Sequence, residues 1–160
     1  MTIKTGDALP DVTFMIMTAD GPAPATTSDI FKGKRVALFA VPGAFTPTCS
    51  AKHLPGFVTR SGELKAKGID TIACTSVNDV FVMAAWAKDQ GAGEDVTMLA
   101  DGNGDFAKAV GLELDGSKWG IGPRSQRYAM VVKDGVVEHL FVEDTGSFDV
   151  SSAEHMLSQL

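Results

Sequence analysis

The sequence has few of the features that mark several large protein classes. Its 160 residues contain two cysteines, too few for a disulfide framework or a cysteine-rich zinc site. These cysteines also lack the CxxC spacing of thioredoxin-like oxidoreductases. No apolar run approaches the roughly 18 residues of a membrane span, and the N-terminal MTIKTGDALPDV has no signal-peptide core. We therefore expect a cytoplasmic protein without a membrane partner.

Positive charge is scarce as well. Lys and Arg number 14 against 20 Asp and Glu, which gives a formal net charge of −6. Nucleic acids and anionic membranes are bound by clustered basic residues, so we expect neither as a partner. A hydrophobic fraction of 44% is ordinary for a globular protein, and the length suits one domain with a full core. The sequence predicts a single domain over residues 1–160.

Strand and helix patterns alternate along most of the chain. Strands are predicted at 12–16, 36–41, 70–77, 96–100, 128–132 and 136–142, and helices at 50–67, 80–89, 105–110 and 151–160. Pro55-Gly56 is expected to break or kink the first helix, and Asp134-Gly135 to join the last two strands as a hairpin. This order predicts an α/β fold with a central mixed β-sheet covered by helices on both faces.

The stretch VPGAFTPTCS places Cys49 where a buried strand ends and a helix begins. Ligand sites in open α/β sheets lie at such strand ends, and a helix N-terminus favours a thiolate. A free cysteine, with a pKa of about 8.5, needs roughly 3 kcal/mol to become mostly thiolate at neutral pH. A helix terminus supplies about 2 kcal/mol at most, so a reactive Cys49 requires a second positive group, such as an arginine. The alternative is an inert, buried cysteine.

Several segments resemble one family. Pro42, Thr46 and Cys49 fit the pattern PxxxTxxC, which resembles the signature of the peroxiredoxins. The string PGAFTPTCS, with HLPGF just after it, resembles the type II, or peroxiredoxin-5-like, group in its plant and bacterial branch. Further similar segments are SVND at 76–79, FVM at 81–83, ADGNG at 100–104, GLELD at 111–115, RSQRYAM at 124–130 and SSAE at 151–154. The resemblance therefore covers nearly the whole chain.

The resemblance implies a thioredoxin-like fold and a thiol-dependent peroxidase for hydrogen peroxide and alkyl hydroperoxides, with no metal or organic cofactor. The Cys49 thiolate would attack the O–O bond of the peroxide and become a sulfenic acid. Thr46 would contact both sulfur and peroxide, and Pro42 would shield the pocket from water. Arg127 would be the required cation, which stabilises the thiolate and the charge that develops along the O–O bond.

Other residues near this cysteine allow more than one role. The resemblance places the backbone N–H groups of Thr48 and Cys49, together with Gly43, in a cradle that binds the peroxide. Arg124 could assist the catalytic arginine, although a solvated surface arginine is the simpler interpretation. His53, four positions after the cysteine, could tune the thiolate or bond a backbone group. We favour the structural role for His53.

Cys74 lies in the β-branched strand segment IACTSV. It is either a core residue or a resolving cysteine that condenses with the sulfenic acid of Cys49. A direct disulfide needs Cα atoms within about 7 Å, so a central strand and a helix start would have to deform. We favour the structural role. If Cys74 does not resolve Cys49, the resemblance implies reduction by glutathione with glutaredoxin, or by thioredoxin.

The predicted helix at 80–89 is apolar on nearly every face, so it needs cover all round. It lies either between two layers of the protein or against a partner subunit. The resemblance implies a homodimer that forms beside the active site. Phe45, Phe81 and Trp86 are the expected interface residues.

Three other functions would use the same cysteine. A thiol–disulfide oxidoreductase is disfavoured by the missing CxxC motif. A cysteine hydrolase or acyltransferase needs a general base near the sulfur, and His53 is the only histidine close in sequence. A peroxide-sensing relay protein would share the Cys49 site and pass its oxidation to a partner thiol.

Overall fold

The computed structural model describes residues 1–93 and 95–160. Its strands are β1 (Thr13–Thr18), β2 (Gly21–Thr26), β3 (Arg35–Ala40), β4 (Thr71–Ser76), β5 (Thr97–Ala100), β6 (Glu113–Gly116), β7 (Gly122–Ser125), β8 (Tyr128–Lys133) and β9 (Val136–Val142). Its α-helices are α1 (Thr27–Phe31), α2 (Leu54–Thr59), α3 (Ser61–Ala66), α4 (Val80–Asp89), α5 (Asp105–Val110) and α6 (Ala153–Gln159). A π-helical turn spans Cys49–His53, and a 3-10 turn spans Ser117–Trp119. Within the described residues, no helix is long and apolar enough to cross a membrane.

The predicted mixed sheet is confirmed. In the part of the chain that the structure describes, seven strands form one sheet in the order β2-β1-β5-β4-β3-β8-β9, and β6 pairs with β7 outside it. Strand β3 is parallel to β4 and antiparallel to β8. Ala40, the last residue of β3, pairs with both Thr75 and Tyr128. The loops after β3 and β4 therefore lie beside the residues that precede β8.

Strand β3 is buried on both faces, which explains its continuous apolar sequence. Ala37 and Phe39 belong to a core that includes side chains of α2, α3, α4 and α6. Leu38 and Val36 belong to a second core, which α1 and α5 cover. Helices therefore lie on both faces of the sheet, as the sequence predicts.

The predicted helix at 50–67 differs from the observed one. Helical structure begins at Pro47 and continues through the π-helical turn into α2. The break comes at Arg60, whose φ of −100° and ψ of 12° leave the helical region, and not at Pro55. Pro55 lies in the first turn of α2, directly after the π-helical turn. A proline ring clashes with the carbonyl four residues earlier in a regular α-helix, and the wider turn relieves that clash.

Candidate active site

Cys49 lies in the first turn of the helix that follows β3, as the sequence predicts. The chain leaves β3 at Ala40 and enters the helix at Pro47, a position where a proline loses no hydrogen bond. The N–H of Ser50 donates to the carbonyl of Thr46 at 2.9 Å, so Thr46 caps the helix start. Cys49 is fully buried there, at 0% exposure.

Side chains from two separate parts of the chain contact the sulfur of Cys49. Oγ1 of Thr46 lies 2.8 Å from Sγ, and Nη2 of Arg127 lies 3.0 Å from it. Arg127 directly precedes Tyr128, which pairs with Ala40 at the end of β3. The antiparallel pairing of β3 and β8 therefore brings the arginine to the cysteine loop, although 78 residues separate the two in sequence.

The hydroxyl of Thr46 links the sulfur to the backbone of the preceding turn. Its Oγ1 lies 2.7 Å from the carbonyl oxygen of Gly43. One hydroxyl proton serves one acceptor at a time. When Cys49 is a thiol, S–H donates to Oγ1 and the hydroxyl donates to Gly43. When Cys49 is a thiolate, the hydroxyl and Arg127 both donate to the sulfur, and such charge-assisted bonds favour the anion.

Thr46 and Arg127, the two residues that contact the sulfur, line a pocket of about 490 Å³, whereas the fully buried Cys49 is not among its lining residues. Four predicted site residues line it: Pro42, Thr46, Thr48 and Arg127. The other lining residues are Pro47, Leu114, Trp119, Ile121, Gln126, Glu143, Asp144, Thr145, Gly146 and Ser147. Four of the predicted site residues therefore line one pocket, and two of them connect it to Cys49.

Gly43 lies behind the pocket lining, against Thr46. It is buried, and among the described residues it does not line this pocket. A Cβ atom at Gly43 would lie 3.1 Å from Cγ2 of Thr46, closer than an ordinary contact. Its contact with substrate stays a prediction, and the structure shows another role: the glycine leaves room for Thr46, and its carbonyl binds the Thr46 hydroxyl.

His53 is fully buried and bonded at both ring nitrogens. Nδ1 lies 2.9 Å from Nη1 of Arg127, and Nε2 lies 2.9 Å from the carbonyl oxygen of Ser151. A guanidinium only donates and a carbonyl only accepts, so Nε2 carries the hydrogen and Nδ1 the lone pair. Burial, together with the charge of Arg127, lowers the pKa of His53 to about 3, so the ring is neutral.

The bond between His53 and a backbone carbonyl agrees with the structural role that we favour, but the ring also contacts the guanidinium at Cys49, so its role is not structural alone. The contact with Arg127 is new, and the sequence offers no local signal for it. Because both ring nitrogens are occupied, His53 has no free position from which to accept a proton from Cys49. The hydrolase alternative therefore loses its candidate base.

Comparisons with known proteins agree with this geometry. The family model described as Redoxin matches residues 4–157. Peroxiredoxin-2E, chloroplastic, of Arabidopsis thaliana is 53% identical over 99% of this chain and 70% of its own length. Peroxiredoxin-2B of the same plant is 46% identical over 99% and 98%. The chain belongs to the redoxin family as a type II peroxiredoxin.

The solved structures support the same assignment. Reduced Prx3 of Vibrio vulnificus, solved in complex with H2O2, is 51% identical to this peroxiredoxin. The two superpose with a TM-score of 0.95 over 99% of each chain. The predicted family and thioredoxin-like fold are thus confirmed. Peroxiredoxins reduce peroxides with electrons from thiols, so this protein is a thiol-dependent peroxidase.

Arg124 of this peroxiredoxin is not the solvated surface arginine that we considered simplest. Its side chain is half-buried, and its Nη1 donates to the carbonyl of Val77 at 3.0 Å. Its Nε donates to the carbonyl of Ile121 at 2.9 Å. The guanidinium therefore ties the loop after β4 to the segment before β7, next to Gly43.

Asn78 is a site residue that the sequence reasoning missed. Its Oδ1 accepts from the N–H of Ala44 at 2.9 Å and from the hydroxyl of Ser76 at 2.6 Å. These bonds fix the turn that carries Thr46. The signal was available in principle, since Asn78 follows the carboxyl end of β4, beside the end of β3.

The expected interface residues separate into two groups. Phe45 and Phe81 are exposed, at 51% and 64%, and Phe45 has a left-handed φ of 65° that is uncommon for a bulky side chain. Trp86 is fully buried, and its indole N–H donates to Oγ of Ser50 at 3.0 Å. Trp86 is therefore a core residue of this peroxiredoxin, and its predicted place on a subunit interface is wrong.

Cys74 lies in the middle of β4, where it pairs with Phe39 of β3 and Met98 of β5. It is fully buried in the same core as Cys49, and both cysteines are free. Burial and the charge of Cys49 raise the pKa of the Cys74 thiol, and the charge of Arg127 opposes this only in part. The thiol of Cys74 is therefore neutral in this state.

Proposed function

We propose that Cys49 is the residue of this peroxiredoxin that attacks the peroxide, with Thr46 and Arg127 as its catalytic partners. The observation that carries the proposal is the pair of donors at 2.8 Å and 3.0 Å from the sulfur, because both Thr46 and Arg127 also line an open pocket. The thiolate of Cys49 bonds to one peroxide oxygen while the O–O bond breaks. The sulfur is oxidised to a sulfenic acid, and the leaving oxygen takes a proton and departs as water or an alcohol.

Arg127 is suited to stabilise the transition state of this step. A guanidinium has five N–H donors, of which one on Nη2 is directed at Cys49 and one on Nη1 at His53. The remaining donors can bind the peroxide oxygens as negative charge moves from sulfur to the leaving group. Thr46 presents its hydroxyl to the attacked oxygen, the N–H of Thr48 binds the peroxide, and Pro42 excludes water.

We propose hydrogen peroxide and alkyl hydroperoxides as substrates. The related Prx3 of Vibrio vulnificus was solved with H2O2. Apolar side chains on the pocket wall, among them Leu114, Trp119 and Ile121, can contact an organic chain on the far side of the O–O bond. The pocket volume of about 490 Å³ exceeds what hydrogen peroxide alone requires.

We propose that the reductant is external, either glutathione with glutaredoxin or thioredoxin. Attack on a sulfenic acid requires a thiolate, and Cys74 is a neutral, buried thiol in the middle of β4.

We further propose a homodimer in which Phe45 and Phe81 contribute to the interface, because both are large exposed apolar side chains. The cytoplasm remains the proposed compartment, since catalysis through free thiols needs reducing conditions.

Mass spectrometry after one equivalent of peroxide tests the central proposal. We expect one added oxygen on Cys49 in the parent and in Cys74→Ala, and none in Cys49→Ser. Reaction of Cys49→Ser at the parent rate would refute the role of Cys49. An intramolecular disulfide in the parent would refute the external reductant and restore Cys74 as the resolving residue.

Steady-state turnover distinguishes the reductants. Peroxide consumption is measured with glutathione and glutaredoxin, and separately with thioredoxin and its reductase, at equal enzyme concentration. We expect at least one system to sustain turnover in both the parent and Cys74→Ala. Turnover that depends on Cys74 in both systems would contradict the proposal.

A further inference from the structure

We propose that Glu143 and Ser151 position Arg127 by fixing the tautomer of His53, an inference that rests on the proposed function of Arg127. A continuous series of hydrogen bonds runs from the carboxylate of Glu143 through Ser151 and His53 to the guanidinium that contacts Cys49. The side chains of Glu143 and Ser151 make no described hydrogen bond to the sulfur or to a side chain bonded to it, although Glu143 lines the pocket and its backbone N–H bonds the carbonyl of Arg127. They are positioning residues, not catalytic ones.

The carboxylate of Glu143 holds the segment just before α6. Its Oε2 accepts from the N–H of Asp149 at 2.6 Å, the N–H of Ser151 at 2.9 Å and the hydroxyl of Ser151 at 2.7 Å. Burial raises the pKa of Glu143, but these hydrogen bonds outweigh it and hold the pKa below its usual range. The backbone N–H of Glu143 also donates to the carbonyl of Arg127 at 3.0 Å. Glu143 therefore contacts the series twice: its carboxylate binds Ser151, and its backbone binds Arg127.

Ser151 is the residue through which Glu143 reaches the histidine. Glu143 binds its N–H and its hydroxyl, so the peptide plane that follows is held in one orientation. The carbonyl of Ser151 therefore stays 2.9 Å from Nε2 of His53. The ring itself is packed between aromatic side chains, with Phe39 and Phe148 at centroid distances of 4.8 Å and 5.1 Å.

The tautomer of His53 decides whether Arg127 has an acceptor. With hydrogen on Nε2, the lone pair of Nδ1 faces Nη1 of Arg127. If the Ser151 carbonyl moves away, hydrogen can transfer to Nδ1, and two donors then face each other. Because the guanidinium is a rigid plane, displacement of Nη1 also moves Nη2 away from Sγ of Cys49.

Nitrogen NMR of the imidazole ring tests this inference without reference to activity. The chain has three histidines, so the His53 signals can be assigned by a His53→Gln variant. We expect the parent to show the Nε2–H tautomer and Glu143→Ala to lose it in part or whole. Cys49→Ser should keep the parent tautomer, which separates this readout from the proposed chemistry at the sulfur.

The peroxide reaction supplies the second readout. Groups that orient metal-ligating side chains typically contribute about 10- to 100-fold to activity, and we expect a loss of about tenfold in Glu143→Ala, where the oriented group is Arg127. Glu143→Gln retains one oxygen acceptor and should recover part of the rate. The matched control is Glu154→Ala, which removes the same charge from an exposed position whose partner is Arg60 at 3.2 Å. It should react as the parent does.

A double-mutant cycle with Arg127 decides the outcome. If Glu143 acts through Arg127, Glu143→Ala should cost little in an Arg127→Ala background. An equal loss in both backgrounds, or an unchanged tautomer in folded Glu143→Ala, would overturn the inference. A shifted tautomer with an unchanged peroxide rate would support the link to His53 and count against the proposed function of Arg127. If Glu143→Ala does not fold, the tautomer and the peroxide rate are compared in Ser151→Ala and Glu143→Gln instead.

Discussion

Cys49 and Cys74 have the same side chain and the same burial, yet different surroundings. Both are 0% exposed and both belong to the core on one face of the sheet. Cys49 begins a helix and has a hydroxyl and a guanidinium at its sulfur. Cys74 lies within a parallel ladder, between apolar neighbours on β3 and β5.

This difference separates the effect of burial from the effect of donors. At Cys74, burial raises the pKa of the thiol. At Cys49, the hydroxyl of Thr46 and the guanidinium of Arg127 lie within hydrogen-bond distance of the sulfur, in the first turn of a helix. Under the proposed function, the reactivity of each cysteine depends on what surrounds the sulfur and not on its exposure.

Removal of Arg127 should make Cys49 most like Cys74. Loss of one preorganised donor at a site of developing charge typically costs about 100- to 1,000-fold in rate, and Arg127→Ala should fall in that range. The measurement is the second-order rate constant for hydrogen peroxide, together with the thiolate absorbance of Cys49 at neutral pH. Arg60→Ala is the control, because Arg60 pairs with Glu63 and Glu154 at the surface. Arg127→Ala at the parent rate would mean that burial and Thr46 suffice.

Replacement of Thr46 should give a smaller loss. A hydrogen bond to a charged group contributes about 1.5–3 kcal/mol, so Thr46→Val should lower the peroxide rate about ten- to a hundredfold. Thr46→Ser keeps the hydroxyl and should stay near the parent rate. Equal rates for the two variants would show that the methyl group and the shape of Thr46 matter, and that its bond to Sγ at 2.8 Å does not.

Acid should destabilise the surroundings of Cys49 through His53. The folded pKa of His53 is about 3 against an ordinary 6.5, so the unfolded chain binds a proton that the folded chain excludes between these values. Stability is therefore lost as pH falls below 6.5, by about 2 kcal/mol between pH 7 and pH 5. Urea titrations should show this loss in the parent and a smaller one in His53→Gln. His139→Gln serves as the control and should retain the parental pH dependence.

The placement of Cys49 was predictable because it depends on local features. A continuous apolar strand, a Pro-Gly turn and a helix start lie within a short stretch, and the free-energy comparison showed that a cation was needed. Arg127 came from the family resemblance. The sequence alone could not place it, because its contact with Cys49 depends on how β8 pairs with β3.

The partners of His53 illustrate what pattern cannot supply. Its ring bonds Arg127 and Ser151, which lie 74 and 98 residues away in sequence. The predicted interface position of Trp86 was wrong for another reason. Helix α4 is apolar on nearly every face, so no periodicity distinguished the buried Trp86 from the exposed Phe81. In both cases tertiary packing determines the surroundings of the side chain, and the local sequence pattern does not predict them.

The smallest expected effect is a change in stability on replacement of Thr75, the residue that follows Cys74 in sequence. Thr75 is buried, and its hydroxyl finds no hydrogen-bond partner among the described residues, in contrast to the hydroxyl of Thr46. Burial of an unpaired hydroxyl costs about 1–3 kcal/mol, so Thr75→Val should raise the free energy of unfolding by about 1 kcal/mol and leave the peroxide rate unchanged. Tyr128→Phe is the parallel case, since Tyr128 pairs with the same Ala40 and its hydroxyl is also unpaired in the described chain. A loss of stability in both variants would show that these hydroxyls are bonded in solution, and that the core around Cys74 is more polar than its neighbours indicate.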